Sequence, residues 1–325
     1  MHRSALFTDF YELTMAQGYW KNGMDSRAVF DMFFRRHPFH GGFSLFAGLD
    51  PLLEALEGFR FQGEDLAWLE AQGMFEDGFL RYLEGFRFSG DVWAMREGQV
   101  AFPQVPLLRV HAGLIEAQLI EGLVLNTINF QSLIATKSAR VALAARGKRV
   151  MEFGLRRAQG YDGALSASRA CFIGGAAASS NALAARIYGI PAMGTMAHSW
   201  VMAFPGEREA FAAYADLYPR ATTLLIDTYD TLASGIVNAV EAGKALKERG
   251  LKFGVRLDSG DIDYLSRKVR DALDSAGLED AFIVVSNELD EDIIERLAAG
   301  GAPVDVWGVG THLVKIGRAS CRERV

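Results

Sequence analysis

The sequence predicts an α/β protein in two parts: a mixed α+β first third followed by a (β/α) barrel. Three observations predict it. Seven short apolar runs recur from Arg149 onward, each ending in polar or Gly-rich residues: VMEFG (150–154), CFIGG (171–175), IPAMG (190–194), TLLID (223–227), FGVRLD (253–258), FIVVS (282–286) and VDVWGVG (304–310). Helical patterns fill the gaps, and strand starts about 20–30 residues apart suit the βα units of a parallel sheet. Seven strands favour a barrel over an open doubly wound sheet, which the pattern alone leaves open.

Each element has a local reason. Thr8-Asp9 ahead of Leu13, Met15, Ala16, Tyr19 and Trp20 predicts a capped first helix. Residues 28–36 (AVFDMFFRR) are β-branched and aromatic enough for a strand. Residues 63–72 and 76–84 predict short amphipathic helices, and 90–96 and 105–112 predict strands. From 114 to about 146 the pattern is helical, with Asn126 and Asn129 as unusual polar residues inside it. In the second part, residues 230–249 predict a helix that ends in Lys and Arg, as its dipole favours. Residues 261–275 and 289–299 are similar.

Composition bounds the function. The 325 residues carry a net charge of −6, half are hydrophobic and 23% are charged, which describes one or two soluble globular domains. No block of like charge precedes the last eleven residues, which argues against nucleic acid or an anionic membrane as partner. The two cysteines, Cys171 and Cys321, cannot build a disulfide framework or a four-Cys zinc site, so a reducing, cytoplasmic setting is the default. Arg3, Asp9 and Glu12 break any signal peptide. The longest uncharged stretch, 187–206, contains Pro191, Thr195, His198, Ser199 and Pro205 and reads as buried interior.

In a barrel, chemistry sits where strands end. The residues just after the runs are Arg156 and Arg157; Ser179, Ser180 and Asn181; Thr195 and His198; Asp227 and Asp230; Arg256, Asp258 and Asp261; Asn287 and Glu288; and Gly308, Gly310 and Thr311. Arg forks bind phosphate or carboxylate, and Gly-Val-Gly-Thr lets backbone amides approach a phosphate. Aspartates beside polyphosphate hold Mg²⁺ or ribose hydroxyls. Together they point to a phosphorylated sugar or nucleotide, with His198 for acid–base or nucleophilic work. Plainer readings stand beside this one. Asp258-Ser259-Gly260-Asp261 also suits a helix N-cap. Cys171, inside an expected strand, reads as a small hydrophobe. His37, His40 and His111 have no ligand spacing.

Longer motifs narrow the choice. TDFYELTMAQGYW (8–20), FDMFFRRHPF (30–39), GGFSLFAGL (41–49), EFGLRRAQGYDGALSASRA (152–170), GTMAHSW (194–200), LLIDTYDT (224–231), GVRLDSGD (254–261) and GVGT (308–311) resemble nicotinate phosphoribosyltransferases. The resemblance runs in order over nearly the whole of 4–314. It implies an N-terminal α/β-sandwich domain packed with an irregular TIM-like barrel, the type II phosphoribosyltransferase architecture. It implies that nicotinate and 5-phosphoribosyl 1-diphosphate give nicotinate mononucleotide and diphosphate, with ATP hydrolysis coupled, Mg²⁺ present and a homodimer formed. His198 then resembles the histidine that ATP phosphorylates, with Asp258 and Arg256 also in the catalytic set. Tyr11, Arg156, Ser179, Thr195, Asp227, Gly310 and Thr311 resemble substrate-binding residues. Within GGAAASSN (174–181) there are hydroxyls and no carboxylate to accept an amide N–H₂, which favours nicotinate over nicotinamide.

The end of the chain departs from the pattern. Residues 315–325, KIGRASCRERV, read as the in-frame translation of a sequencing adapter. The expected domains are therefore 1–130, an incomplete barrel over 131–314, and a non-native tail. A barrel cut off there lacks its last strand and part of the phosphate site, and implies an unpaired strand edge, an exposed core, poor solubility and little activity. An inactive phosphoribosyl-diphosphate-binding fragment is the second reading. A sugar-phosphate lyase is the third, and it lacks a Schiff-base Lys, because none of the seven runs ends in Lys.

Overall fold

A computed structural model describes residues 4–315. All of the tail expectation except Lys315 lies outside the described residues. The first compact unit ends at Thr136 and the second begins at Lys137.

The first unit holds helices α1 (Phe10–Lys21), α2 (Leu49–Glu57), α3 (Gly63–Ala71) and α4 (Asp77–Glu84). Its strands are β1 (Arg27–Met32), β2 (Ser44–Leu45), β3 (Asp91–Ala94), β4 (Val100–Ala101) and β5 (Leu108–Gly113). Strand β5 lies between β1 and β3, antiparallel to both. Alternation sorts the sheet: Phe30 and Val92 both pair with Val110 on the core side, while Asp31 pairs with Arg109 on the open side, Nε to Oδ1 2.6 Å. The expected strand over 28–36 is shorter, ending at Met32. Helix α5 (Leu114–Ala144) starts in this unit, and Asn126 and Asn129 sit on its exposed face.

Helix α2 has no cap signal in its own sequence. Its first amides, Gly48 and Leu49, donate to Glu97 Oε1 at 2.5 and 2.9 Å, a cap borrowed from almost fifty residues away. Gly48 itself has φ 107°, and a Cβ there would lie 3.0 Å from the Thr127 carbonyl oxygen, so only Gly fits.

The second unit is built on six parallel strands: β6 (Arg149–Glu152), β7 (Ala178–Ser179), β8 (Thr223–Leu225), β9 (Gly254–Leu257), β10 (Phe282–Val285) and β11 (Val306–Val309). Between them lie α6 (Gly160–Ile173), α7 (Ala182–Tyr188), α8 (His198–Met202), α9 (Glu207–Leu217), α10 (Ile236–Glu248), α11 (Ile262–Ser275), α12 (Glu291–Ala299) and, last, α13 (Thr311–Val314). The order is β7-β6-β11-β10-β9-β8. Every sequential step except β7 to β8 joins neighbours, and β11 returns to pair with β6. That is the winding of a barrel with its seam between β7 and β8, not of a doubly wound sheet, whose order reverses midway. An isolated parallel bridge, Ser179 to Ala192, extends β7 into the seam.

The sheet keeps two edges, β7 and β8, while β11 has β10 on one side and β6 on the other. Two expectations change. CFIGG is not a strand but the last turn of α6, whose buried face continues from Ala164, Ala167 and Ala170 to Cys171. A short apolar run fits either element, and here helical periodicity wins. Cys171 is thus a buried helix residue, its thiol pushed well up by burial. IPAMG supplies only the bridge at Ala192.

Register fixes which side chains share a face. Leu225 pairs with Arg256, Arg256 with Val284, Val284 with Val306, and Met151 with both Gly308 and Ala178. With a period of two, Asp227, Asp258, Ser286 and Gly310 lie on the extension of that face. Glu152 and Ser179 pair with each other on the opposite face.

Candidate functional site

The site forms where β8, β9 and β10 end. Asp227 lies two residues past β8, and its side chain is 1% exposed. Its Oδ1 is 3.3 Å from His198 Nε2, at the start of α8. Its Oδ2 accepts from the Asp258 amide at 2.9 Å and from Ser259 Oγ at 2.5 Å. One carboxylate therefore joins the histidine to the loop after β9.

Arg256, on β9, is the cationic counterpart. Its Nη1 donates to Thr195 Oγ1 and to the Met196 carbonyl at 3.1 Å, and its Nη2 lies 3.5 Å from Asp258 Oδ2. The side chain is 14% exposed, and Nε is buried with no hydrogen-bond partner. A buried donor without a partner carries a desolvation cost that an incoming anion would relieve. Ser286, just past β10, donates to Asp258 Oδ1. Asn287 follows at φ 131°, a conformation that non-glycine residues rarely hold and that collects at functional sites.

The structure thus brings Thr195, His198, Asp227, Arg256 and Asp258 into one hydrogen-bonded network. The plainer reading holds for the neighbouring acids. Asp261 caps α11 by accepting from the Tyr264 amide at 3.2 Å. Asp230 caps the π-turn Thr231–Gly235 before α10, accepting from the Leu232 and Ala233 amides at 2.9 and 2.7 Å.

The other expected residues lie differently. Ser179 is 1% exposed and faces α6: its Oγ donates to Glu152 Oε2 at 2.5 Å. That turns its hydroxyl to the interior, on the face opposite Arg256. Arg156 is exposed on the single turn Leu155–Arg157 after β6. Gly310 precedes the one-turn α13, which Thr311 begins, and a Cβ at Gly310 would lie 3.1 Å from the Phe153 carbonyl oxygen. Gly308 is fixed by packing, since a Cβ there would sit 2.5 Å from the Phe153 ring. Tyr11, in the first unit, is exposed on α1, its phenol raised in pKa chiefly by the charge of Glu12.

Residue-by-residue reading passed over Ser259, Ser286 and Glu152. Ser286 is the final letter of FIVVS, and alternation from Val284 would have placed it on the Arg256 face. Glu152 is 1% exposed and accepts from Ser168 Oγ, Ser179 Oγ and the Gly154 amide. An acid ending an apolar strand carries no local sign of such a role.

The arrangement offers chemistry of a definite kind. Nε2 of His198 is anchored, which leaves Nδ1 for reaction, and the side chain is 40% exposed. Arg256, linked to it through Asp258 and Asp227, is held in place with an unpartnered Nε that can bind an anion. Among the described residues no group of three or more His, Cys, Asp or Glu forms a metal-binding cluster, and no helix is long and apolar enough to cross a membrane.

Known proteins resemble this chain over most of its length. Residues 6–129 match the nicotinate phosphoribosyltransferase N-terminal domain, and residues 148–319 match the nicotinate phosphoribosyltransferase family. A nicotinate phosphoribosyltransferase of Mycobacterium tuberculosis is 53% identical over 96% of this chain and 67% of its own length. One from Bacillus subtilis is 46% identical over 95% of this chain and 63% of its own. The chain thus spans about two thirds of these relatives. The crystal structure of human nicotinic acid phosphoribosyltransferase superposes with a TM-score of 0.86 at 38% identity, covering 93% of this chain and 72% of that one.

Proposed function

The chain belongs to the nicotinate phosphoribosyltransferase family, and we propose that it transfers the phosphoribosyl group of 5-phosphoribosyl 1-diphosphate to nicotinate in NAD salvage. The network joining His198, Asp227, Asp258 and Arg256 carries this reading. It supplies an anchored histidine, an open carboxylate oxygen and a buried cation within one small region.

The reaction breaks the C1–diphosphate bond with oxocarbenium character at C1 and forms the bond to the ring nitrogen. The protein's work is to position two anionic substrates and disperse charge. Arg256, with its unpartnered Nε, holds an anionic group of one substrate, and Thr195 fixes the orientation of the guanidinium. Asp258 Oδ2 faces the ribose hydroxyls. Tyr11, Arg156, Gly310 and Thr311 stand as further substrate contacts on the family's pattern.

ATP hydrolysis is coupled through His198, whose Nδ1 accepts the phosphoryl group while Asp227 holds Nε2. Mg²⁺ fits the donors present. Asp258 is part-exposed and has one oxygen free of Ser286, which suits an ion held mostly by diphosphate oxygens and water. When bound, Mg²⁺ neutralises the departing diphosphate. A homodimer and a cytoplasmic location complete the reading.

The test is an assay of the chain with nicotinate, nicotinamide and quinolinate, each with and without ATP. Nicotinate alone is expected to yield a mononucleotide, faster with ATP, and His198→Ala is expected to abolish the ATP stimulation. Nicotinamide turnover, or an undiminished ATP effect in His198→Ala, would contradict it.

A further inference from the structure

We propose that Ser286 is a positioning residue for phosphoribosyl transfer: its hydroxyl sets the orientation of Asp258 toward 5-phosphoribosyl 1-diphosphate. The inference rests on the function proposed above.

Ser286 is held from three directions. Its amide donates to the Leu257 carbonyl at 2.9 Å, so its backbone still belongs to the β9–β10 ladder. Its Cβ packs toward β11, only 3.2 Å from where a Cβ on Gly308 would stand. The next residue, Asn287, is in a sparsely populated conformation that turns the chain away from the strand. The residue is 4% exposed. Its side chain therefore has little freedom, and it spends its donor on Asp258 Oδ1.

Asp258 needs such a fixed partner. It lies past the end of β9 with its side chain 30% exposed, and Arg256 alone, 3.5 Å away, would not fix its rotamer. The Asp258 amide is already tied to Asp227 Oδ2 at 2.9 Å. Backbone tie and Ser286 together leave Oδ2 as the oxygen that faces Arg256 and the open side. Without the hydroxyl, the carboxylate loses a charge-assisted bond and gains rotamers that do not face the ribose.

The experiment compares wild type, Ser286→Ala, Asp258→Asn and the double variant. It uses steady-state kinetics with each substrate varied and a thermal melt of every protein. Ser286→Ala is expected to lower kcat/KM for 5-phosphoribosyl 1-diphosphate by roughly tenfold while leaving KM for nicotinate and the extent of His198 phosphorylation by ATP near wild type. In the Asp258→Asn background the same substitution is expected to add almost nothing, because the group it acts through has changed. Equal losses in both backgrounds, a matching rise in KM for nicotinate, or no loss at an unchanged melting temperature would overturn the role of Ser286 alone. A wild-type chain that forms no nicotinate mononucleotide would overturn the underlying function and the inference with it.

Discussion

Asp227 and Glu152 are two buried carboxylates of the same sheet, and each accepts three hydrogen bonds. Asp227 takes His198 Nε2, the Asp258 amide and Ser259 Oγ. Glu152 takes Ser168 Oγ, Ser179 Oγ and the Gly154 amide. Burial and partner count are alike, yet the two lie on opposite faces. Asp227 lies on the face that carries Arg256, and one of its partners is a titratable ring open to solvent. Glu152 lies on the face toward α6, and all its partners are interior groups. The face of the strand, rather than the chemistry of the acid, separates the carboxylate proposed to act in the site from the one proposed to be structural.

Substitutions can break or sharpen that contrast. Glu152→Ala strands Ser179 Oγ and the Gly154 amide and leaves Ser168 Oγ only the Ala164 carbonyl, and about 3 kcal/mol of stability should be lost in denaturant unfolding, with KM for nicotinate unmoved in the folded fraction. A change in KM without a loss of stability would put Glu152 in the site. Asp227→Asn should keep the fold but release the His198 ring, lowering kcat roughly 10²-fold, about 2.7 kcal/mol of barrier. Steady-state rates check this, and a variant within twofold of wild type would remove Asp227 from the mechanism. Ser179→Ala takes away one donor only, so about 1 kcal/mol of stability should go with kinetics unchanged. A kinetic defect there would support the substrate-binding role expected from sequence.

A third buried acid tests the rule from the other side. Glu12, 1% exposed on α1, accepts from the Thr8 hydroxyl and from the Asp9 amide at 3.3 Å, and Gln118 also bonds it. Burial, and then the charge of Glu121, raise its pKa from 4.5 to about 7. The folded state therefore holds its proton to higher pH than the unfolded chain does. Stability is undiminished below pH 4.5 and falls as pH rises toward about 7. Glu12→Gln should flatten that decline, giving a gain of up to about 1 kcal/mol at pH 8 and none at pH 4. Unfolding curves at the two pH values decide it, and parallel behaviour of variant and wild type would contradict the raised pKa.

Much of the second unit was legible because each of its main strands is a compact apolar run closed by polar residues. β6, β8, β9, β10 and β11 fall where VMEFG, TLLID, FGVRLD, FIVVS and VDVWGVG stand. What was not legible depended on distance or parity. Helix α2 is capped by Glu97, so nothing local announces it. CFIGG is apolar at helical spacing as well as in a run, and only the chain before it decides between the two. Thr195, His198, Asp227, Arg256 and Asp258 could be picked out one at a time. That one carboxylate ties His198 to the Asp258 loop could not, because the partners come from three separate βα loops. The facing of Ser179 was hidden for a simpler reason: residues at a strand end alternate between faces, and its register with Glu152 turns it away from Arg256.

The most direct test is a paired measurement of kcat/KM and melting temperature for Asp227→Asn and Glu152→Gln, assayed with nicotinate, 5-phosphoribosyl 1-diphosphate and ATP. Asp227→Asn should lose most of its activity at nearly the wild-type melting temperature, and Glu152→Gln should melt lower at nearly the wild-type kcat/KM. Asp227→Asn with full activity, or Glu152→Gln inactive at an unchanged melting temperature, would contradict the assignment of the catalytic face.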